Sequence, residues 1–142
     1  MHTEGSFSFE SAAEARERYE SVGPAAQTVV REVAKAMDFD REEYDDRVTG
    51  DVVETARDAL FASLLEAHVG SREEYEEWRE GYDGEVTEVG HEDVDRVVWH
   101  AGPDGTAVAA TFQNEPEAAV ATLRRQAFGR LYRESVSEES RD

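Results

Sequence analysis

The sequence predicts an α+β fold in which a helical half precedes a small sheet and a closing helix. Apolar residues recur at helical spacing in the N-terminal half, and beyond Gly84 their period changes from about 3.6 to about 2. No internal repeat or linker interrupts the chain. We therefore expect one domain over residues 1–142, with about five helices, then a three-stranded antiparallel meander packed by a C-terminal helix. Residues 1–10 and 135–142 are expected to be flexible ends.

Capping signals mark where the five N-terminal helices begin. In four places a Ser or Asp is followed three residues later by Glu, which is the pattern of a capping box. The Gly23-Pro24 pair breaks the first helix and suits the start of the second. The fourth helix is the most apolar, so it should be central and touch neighbours on more than one side. The predicted helices span about 11–22, 24–37, 40–49, 51–69 and 71–82.

Three strands are predicted after Gly84, at about 85–89, 95–101 and 106–112. A Gly-Pro-Asp-Gly turn separates the second strand from the third. Alternation places Val97 and Trp99 on one face of the second strand. Val98 and His100 then share the opposite face. The third strand is apolar on both faces, which predicts a central position or cover on both sides.

The composition indicates a salt-rich cytosol. The chain has 34 acidic residues against 15 basic ones, a net charge of -19, and Lys35 as its one lysine. Such a charge is self-repulsive unless salt shortens the range of the interaction. A disordered acidic chain is the alternative, but the periodic apolar residues argue against it. Nonspecific binding to nucleic acid is disfavoured by the charge and by high salt.

Several kinds of site and segment are not expected. The chain has no cysteine, and therefore no disulfide or thiolate nucleophile. No apolar run approaches the roughly 18 residues of a membrane span, so a cytoplasmic protein is expected. No cofactor or metal site is predicted: His91, Asp93 and Asp95 alternate, but a solvated turn is the favoured interpretation. Glu66 and His68 are not expected to form a ligand pair, because they lie two apart on a predicted helix.

The closing helix, predicted from a cap at about 114–117 to about Glu134, is basic within an acidic chain. Arg125, Arg130 and Arg133 fall at the flank of its apolar stripe or opposite it, whereas Arg124 lies inside the stripe. A buried arginine must be paired. Its partner could be a carboxylate of this chain, a carboxylate across a dimer interface or a bound anion, and we favour the first. Gly129 predicts that another backbone passes close to the helix.

A resemblance to a known family covers nearly the whole chain. Its C-terminal part is the run WHAGPDGTAVAATFQNEPEAAVATLRRQAFGRLYRE. Its N-terminal part is GPAAQTVVREVAKAM followed by DVVETARDALFASLL. Both resemble a small, uncharacterised family of haloarchaeal proteins, a domain of unknown function. The resemblance implies a halophilic archaeal origin and brings no activity or catalytic residue with it.

Two functions compete. The first is a binding or interaction module, homodimeric, that uses the sheet and the closing helix as its contact surface. Its interface residues would be the aromatics Trp99, Phe112, Phe128 and Tyr132. The alternative is an enzyme or an anion-binding protein with a pocket between helix and sheet. That pocket would hold a small anion with Arg124, Arg125, Arg130 and His100.

Overall fold

The structure is a computed structural model and describes residues 1–139. It confirms the α+β class: helices pack around and beside one mixed sheet. A 3-10 turn, Pro103–Gly105, joins the last two strands, and a π-helical turn, Phe128–Tyr132, joins the last two helices. In chain order the elements are β1 (His2–Glu4), α1 (Ala12–Ser21), α2 (Gly23–Ala36), α3 (Arg41–Arg47), α4 (Gly50–Ser63), β2 (Ala67–Ser71), α5 (Arg72–Glu80), β3 (Glu85–Val89), β4 (Arg96–Ala101), β5 (Thr106–Phe112), α6 (Pro116–Ala127) and α7 (Arg133–Glu139).

The predicted capping residues start the first, third and fifth helices. The Ser11 hydroxyl accepts a hydrogen bond from the Glu14 backbone N–H, and complete capping boxes open α3 at Asp40 and α5 at Ser71. Helix α4 begins one residue earlier than predicted, because Thr49 caps it. As expected, α4 is central: it packs against α1, α2 and α6. None of the helices within residues 1–139 combines the length and the apolarity that a membrane crossing requires.

The fourth helix is shorter than predicted, and the difference creates a strand. Helix α4 ends at Ser63, and Ala67–Ser71 forms β2, which pairs antiparallel with both β1 and β4. Ala67 and Val69 are buried in the sheet core while His68 between them is only half-buried. That alternation has the period of a strand, so pairing with β4 overrides the helical pattern of the preceding residues.

The predicted three-stranded antiparallel meander is wrong. The sheet has five strands in the order β1-β2-β4-β5-β3, and β3 pairs parallel with β5. The helices do not all come first, because β1 and β2 precede α5. Gly84 permits a close approach where this pair begins, since a side chain there would overlap the backbone of Gly105, just before β5. The two strands start side by side, with Glu85 opposite Thr106.

The sheet is covered on both faces, as the two-sided apolar pattern of β5 predicted. On one face α5 contributes Tyr75 and Trp78, which pack against Val97, Trp99 and Ala109. On the other face α6 contributes Val120 and Leu123 to a cluster with residues of β2, β4 and β5. A third cluster, centred on Phe61 of α4, joins the helices to the closing segment.

Parts of both ends that were expected to be flexible belong to the fold. The first ten residues contain β1 and the buried Phe9, which stacks on Phe61. Helix α7 continues to Glu139, and its Val136 is buried in the same cluster. Pairing with β2 holds β1, whose residues are exposed, whereas Phe9 and Val136 are held by burial. Residues 140–142 of the expected C-terminal end lie outside the described part of the chain.

Candidate functional site

Arg124 has a backbone partner rather than the carboxylate that we favoured. Its Nε donates a hydrogen bond of 2.8 Å to the carbonyl oxygen of Leu65, just beyond the end of α4. Within the side chains that the structure describes (1–136), no carboxylate lies at ion-pair distance from Arg124. Leu65 follows Leu64, the C-cap residue of α4, so the bond attaches the closing helix to the turn through which the chain leaves α4.

The N-terminal segment crosses directly over this arginine. Gly5 has a φ of 94°, and a Cβ there would lie 2.7 Å from a terminal nitrogen of Arg124. The backbone N–H groups of Ser6 and Phe7 both donate to the carbonyl of Leu64, at 3.0 and 2.8 Å. Glycine is required because the left-handed conformation and the close approach both exclude a side chain. This segment, residues 5–7, is called the strap here, and it covers the guanidinium on one side.

His100 is buried and fully hydrogen-bonded. Its side chain is 1% exposed, its Nδ1 lies 2.6 Å from the Glu66 carbonyl and its Nε2 lies 2.5 Å from the Tyr132 hydroxyl. Because a carbonyl can only accept, Nδ1 carries the proton and Nε2 accepts from Tyr132. Burial, and to a smaller extent the charge of Arg124, lower the pKa of His100 to about 4. The imidazole is neutral and has no nitrogen left for a ligand.

The four predicted anion-binding residues do not converge on one pocket. Arg124 and Arg125 line a cleft of about 220 Å³ between α4 and α6, together with Ala59, Ala62, Ser63 and Ala121. Arg130 is exposed and does not line this cleft, and His100 lies in the core. The expected neighbour of Gly129 is not found among the described residues, since nothing apart from its own helix lies within 4 Å of the position of a Cβ there.

The predicted aromatic interface is the interior of the chain. Trp99, Phe112, Phe128 and Tyr132 are between 0% and 8% exposed. Trp99 lies under α5, and Phe128 and Tyr132 pack around Phe61. Aromatic side chains are enriched in cores and in interfaces alike, so composition alone could not separate the two. These four aromatic side chains are therefore covered within one copy.

A charged groove adjoins the cleft that Arg124 and Arg125 line and shares Ala59, Ala62 and Arg125 with it. It has a volume of about 550 Å³ and lies between α4 and the segment from α6 to α7. Glu54 and Asp58 line one wall, and Arg125 and Arg133 line the other. No ion pair joins the two walls within the part of the chain described. Instead Arg125 contacts the Thr122 hydroxyl at 3.3 Å, and the guanidinium carbon of Arg133 lies 5.4 Å from the centre of the Phe128 ring.

An apolar groove lies on the helical half, where no site was predicted. Its volume is about 410 Å³, and α2, α4 and the residues flanking α3 form its walls. Val29, Val33, Met37 and Val52 on its walls are 42%, 53%, 58% and 42% exposed. Ala26, Val30 and Ala34 of the α2 stripe are buried, whereas the other half of the stripe, Val29, Val33 and Met37, remains exposed. The sequence showed the stripe but not how much of it the fold would cover.

Glu66 and His68 do meet, contrary to prediction. They precede and enter β2, where residues two apart point to the same side, and Glu66 Oε1 lies 3.2 Å from His68 Nε2. The other imidazole nitrogen lies 3.0 Å from the Thr3 hydroxyl on the neighbouring strand, and the ring stacks on Trp99. Burial lowers the pKa of His68. The error came from extending the predicted helix through these residues.

His91 and Asp93 lie 3.5 Å apart in an exposed turn. Among the side chains that the structure describes, those of residues 1–136, no three His, Asp or Glu lie in the arrangement that a metal ion would need.

The comparisons with known proteins give a family and no activity. Neither the curated proteins nor the solved structures contain a significant match to the chain. One family model matches residues 6–133, from the strap through the π-helical turn, and so includes both grooves. The chain belongs to that family, which is described as a family of unknown function (DUF5809).

Proposed function

We propose that this protein is an interaction module that self-associates by burying its apolar groove against the groove of a second copy. The observation that carries the proposal is the set of four apolar side chains, Val29, Val33, Met37 and Val52, which are 42–58% exposed around one groove. Contiguous exposed apolar surface marks contact sites, because its burial is favourable at about 25 cal/mol per Å². The proposal keeps the expected homodimer and moves its contact surface to the helical half.

The apolar stripe of α2 suits a two-fold contact. Val29, Val33 and Met37 are spaced four residues apart, so they lie along one line of the helix. In a symmetric dimer each patch meets its own copy. With the two α2 helices antiparallel, Val33 lies near the axis, and Val29 faces Met37 of the second copy. Ala25 and Ala36, both exposed beside this line, are small enough to let the helices approach.

Charge also favours contact through α2. This helix contains Arg31 and Lys35 against Glu32, two basic residues and one acidic, a net charge of +1 in a chain of -19. Two such chains repel at long range, so contact through a helix that carries no excess of acid reduces the repulsion at the interface. Salt screens the remainder. The same balance supports our proposal that the protein works in the salt-rich cytosol of a halophilic archaeon.

The decisive measurement is sedimentation velocity over a range of protein concentrations in about 1 M KCl. The wild type should form dimers, and Val33→Glu should be monomeric, because a charge would be buried next to its own copy at the axis. Val33 is 53% exposed, so the variant should fold, and circular dichroism checks this. Thr28→Glu is the matched control, as it adds the same charge to an exposed position of α2 that lines neither groove.

Two results would overturn the proposal. One is a wild type that stays monomeric at every concentration, and the other is a Val33→Glu variant that dimerises as well as Thr28→Glu. A salt series adds a second check. The dimer and the melting temperature should both weaken when KCl falls from about 3 M to about 0.05 M, because the Debye length then grows and the -19 chains repel. A melting temperature that is flat over this range would contradict the halophilic part of the proposal.

A further inference from the structure

The arginines of the charged groove indicate how two copies would meet, an inference that rests on the proposed self-association. Arg125 and Arg133 face Glu54 and Asp58 across an open groove without forming ion pairs in the described chain. Asp58 accepts a hydrogen bond of 2.6 Å from the Tyr19 hydroxyl, which leaves Glu54 as the acid of the groove that is exposed and has no ion pair in the described chain. We infer that the two-fold axis crosses α4 at right angles near Ala59 and that Arg125 pairs there with Glu54 of the second copy.

Helix α4 lies between the two grooves. Thr55 and Ala59 are exposed on it and line both the apolar and the charged groove. Both side chains are small, so the backbone of another helix can come close along this ridge, at the short end of the 8–10 Å range of helix packing. The exposed face of the helix is thus a narrow ridge with an apolar flank on one side and a charged flank on the other.

Symmetry then selects the direction of the axis. A two-fold axis that lies in the contact plane and runs along α4 would exchange the flanks. Val33 and Met37 would then face Glu54 and Asp58 of the second copy, which desolvates charge without pairing it. An axis at right angles to α4 keeps each flank against its own kind and makes the two α4 helices antiparallel. Only this second direction buries apolar against apolar and charge against charge.

The antiparallel arrangement determines which charges meet. Arg125 lies toward the C-terminal end of α4, because it also lines the smaller cleft with Ala62 and Ser63. Glu54 lies in the first half of α4, toward its N-terminus. Reversal about Ala59 therefore brings Arg125 of one copy to Glu54 of the other. The contact occurs twice in the dimer and replaces the 3.3 Å contact between Arg125 and the Thr122 hydroxyl as the main interaction of this guanidinium.

An introduced cysteine tests the axis. The chain has no cysteine, so Ala59→Cys provides one thiol per copy, and Ala59 is exposed. A thiol near the axis should oxidise to a disulfide-linked dimer, since two Cβ atoms about 4 Å apart are needed. Thr28→Cys, exposed on α2 away from both grooves, should remain unlinked. Equal yields of linked dimer from the two variants would show that the axis does not pass near Ala59.

Charge reversal tests the pairing. Arg125→Glu and Glu54→Arg should each weaken the dimer about tenfold in about 0.2 M KCl, and the double variant should recover most of that loss. Arg130→Glu and Glu20→Arg make the same changes in net charge at exposed positions outside both grooves and serve as controls. A double variant as weak as the singles, or singles no weaker than their controls, would overturn the pairing.

The outcomes separate the two proposals. If Val33→Glu dissociates the dimer but the reversals and the cysteine do nothing, the self-association stands and this arrangement is wrong. If the wild type is monomeric, both are wrong.

Discussion

The helical half of this protein leaves part of its apolar surface exposed, whereas the closing half buries its aromatic residues. In the closing half, Trp99, Phe112, Phe128 and Tyr132 are all buried, and His100 among them has both nitrogens bonded. In the helical half, Val29, Val33 and Met37 of α2 remain in solvent. The aromatic residues, whose type suggests a contact surface, are therefore in the core, and aliphatic side chains form the exposed surface. The residue type alone does not indicate whether a side chain is exposed, because that depends on which elements pack against it.

Helix α4 connects these two halves. Phe61 is fully buried and stands at the centre of an aromatic cluster, within 5.4–5.8 Å of five other rings. Two residues earlier, Ala59 is exposed on the ridge between the two grooves. One helix thus supports the core through Phe61 and presents the proposed contact surface at Ala59, so substitutions can test the two roles separately.

Stability should change most when an aromatic side chain is removed from the core. Phe61→Ala should lower the free energy of unfolding by about 3–5 kcal/mol, because it leaves a cavity among five aromatic rings. Val33→Ala should change it by less than about 0.5 kcal/mol at concentrations where the chain is monomeric. Urea unfolding of both variants measures the contrast. A Val33→Ala loss comparable to that of Phe61→Ala would show that the groove is part of the core.

The next effect depends on pH and concerns the closing half. The folded-state pKa of His100, about 4, lies below its ordinary value of 6.5. Folding therefore favours the neutral form, and this contribution is fully present above pH 6.5 and is lost as the pH falls toward about 4. The loss should reach roughly 3 kcal/mol.

His100→Gln isolates this contribution, since its amide can bond both the Glu66 carbonyl and the Tyr132 hydroxyl without titrating. The stability of wild type relative to the variant should fall between pH 6.5 and 4. A difference that stays constant would mean that His100 is protonated as easily in the folded chain as in the unfolded one.

Arg124→Met sharpens the distinction between a structural arginine and an anion site. It removes the charged donor that bonds the Leu65 carbonyl, so unfolding should become about 1–3 kcal/mol easier. Arg130→Met, at an exposed position, should have little effect. Inorganic phosphate should leave the melting temperature of the wild type unchanged. A phosphate-dependent rise in the wild type that is absent from Arg124→Met would indicate an anion site after all.

The least change in stability is expected when two glycines, Gly129 and Gly5, are each replaced by alanine. Gly129→Ala should stabilise the protein by about 1 kcal/mol, because no described residue outside its own helix lies within 4 Å of the new methyl group and alanine favours the helix. Gly5→Ala should destabilise it, since the φ of 94° and the neighbouring Leu65 carbonyl and Arg124 exclude a side chain. Thermal melts of the two variants in the same buffer decide this. A destabilising Gly129→Ala would show that the π-helical turn itself needs glycine.

Local features were predictable where they depended on neighbouring residues. The caps at Ser11, Asp40 and Ser71 act within one turn, so the sequence identifies them directly. The faces of β4 follow from alternation, and Val97 and Trp99 do share one side. The strand Ala67–Ser71 was missed because its stabilising partners, β1 and β4, are distant in the chain. The Glu66–His68 pair was lost with it.

The amino-acid sequence alone predicts the α+β class, most of the helix starts, the alternation of β4, the cover on both faces of β5 and the acidic character of the protein. The parallel pairing of β3 with β5, the bond from Arg124 to the Leu65 carbonyl and the exposure of half of the α2 stripe are visible only in the folded chain. The difference lies in the range of the interactions. Capping and alternation act over a few residues, whereas burial depends on which distant element arrives, and only the assembled chain shows where none does.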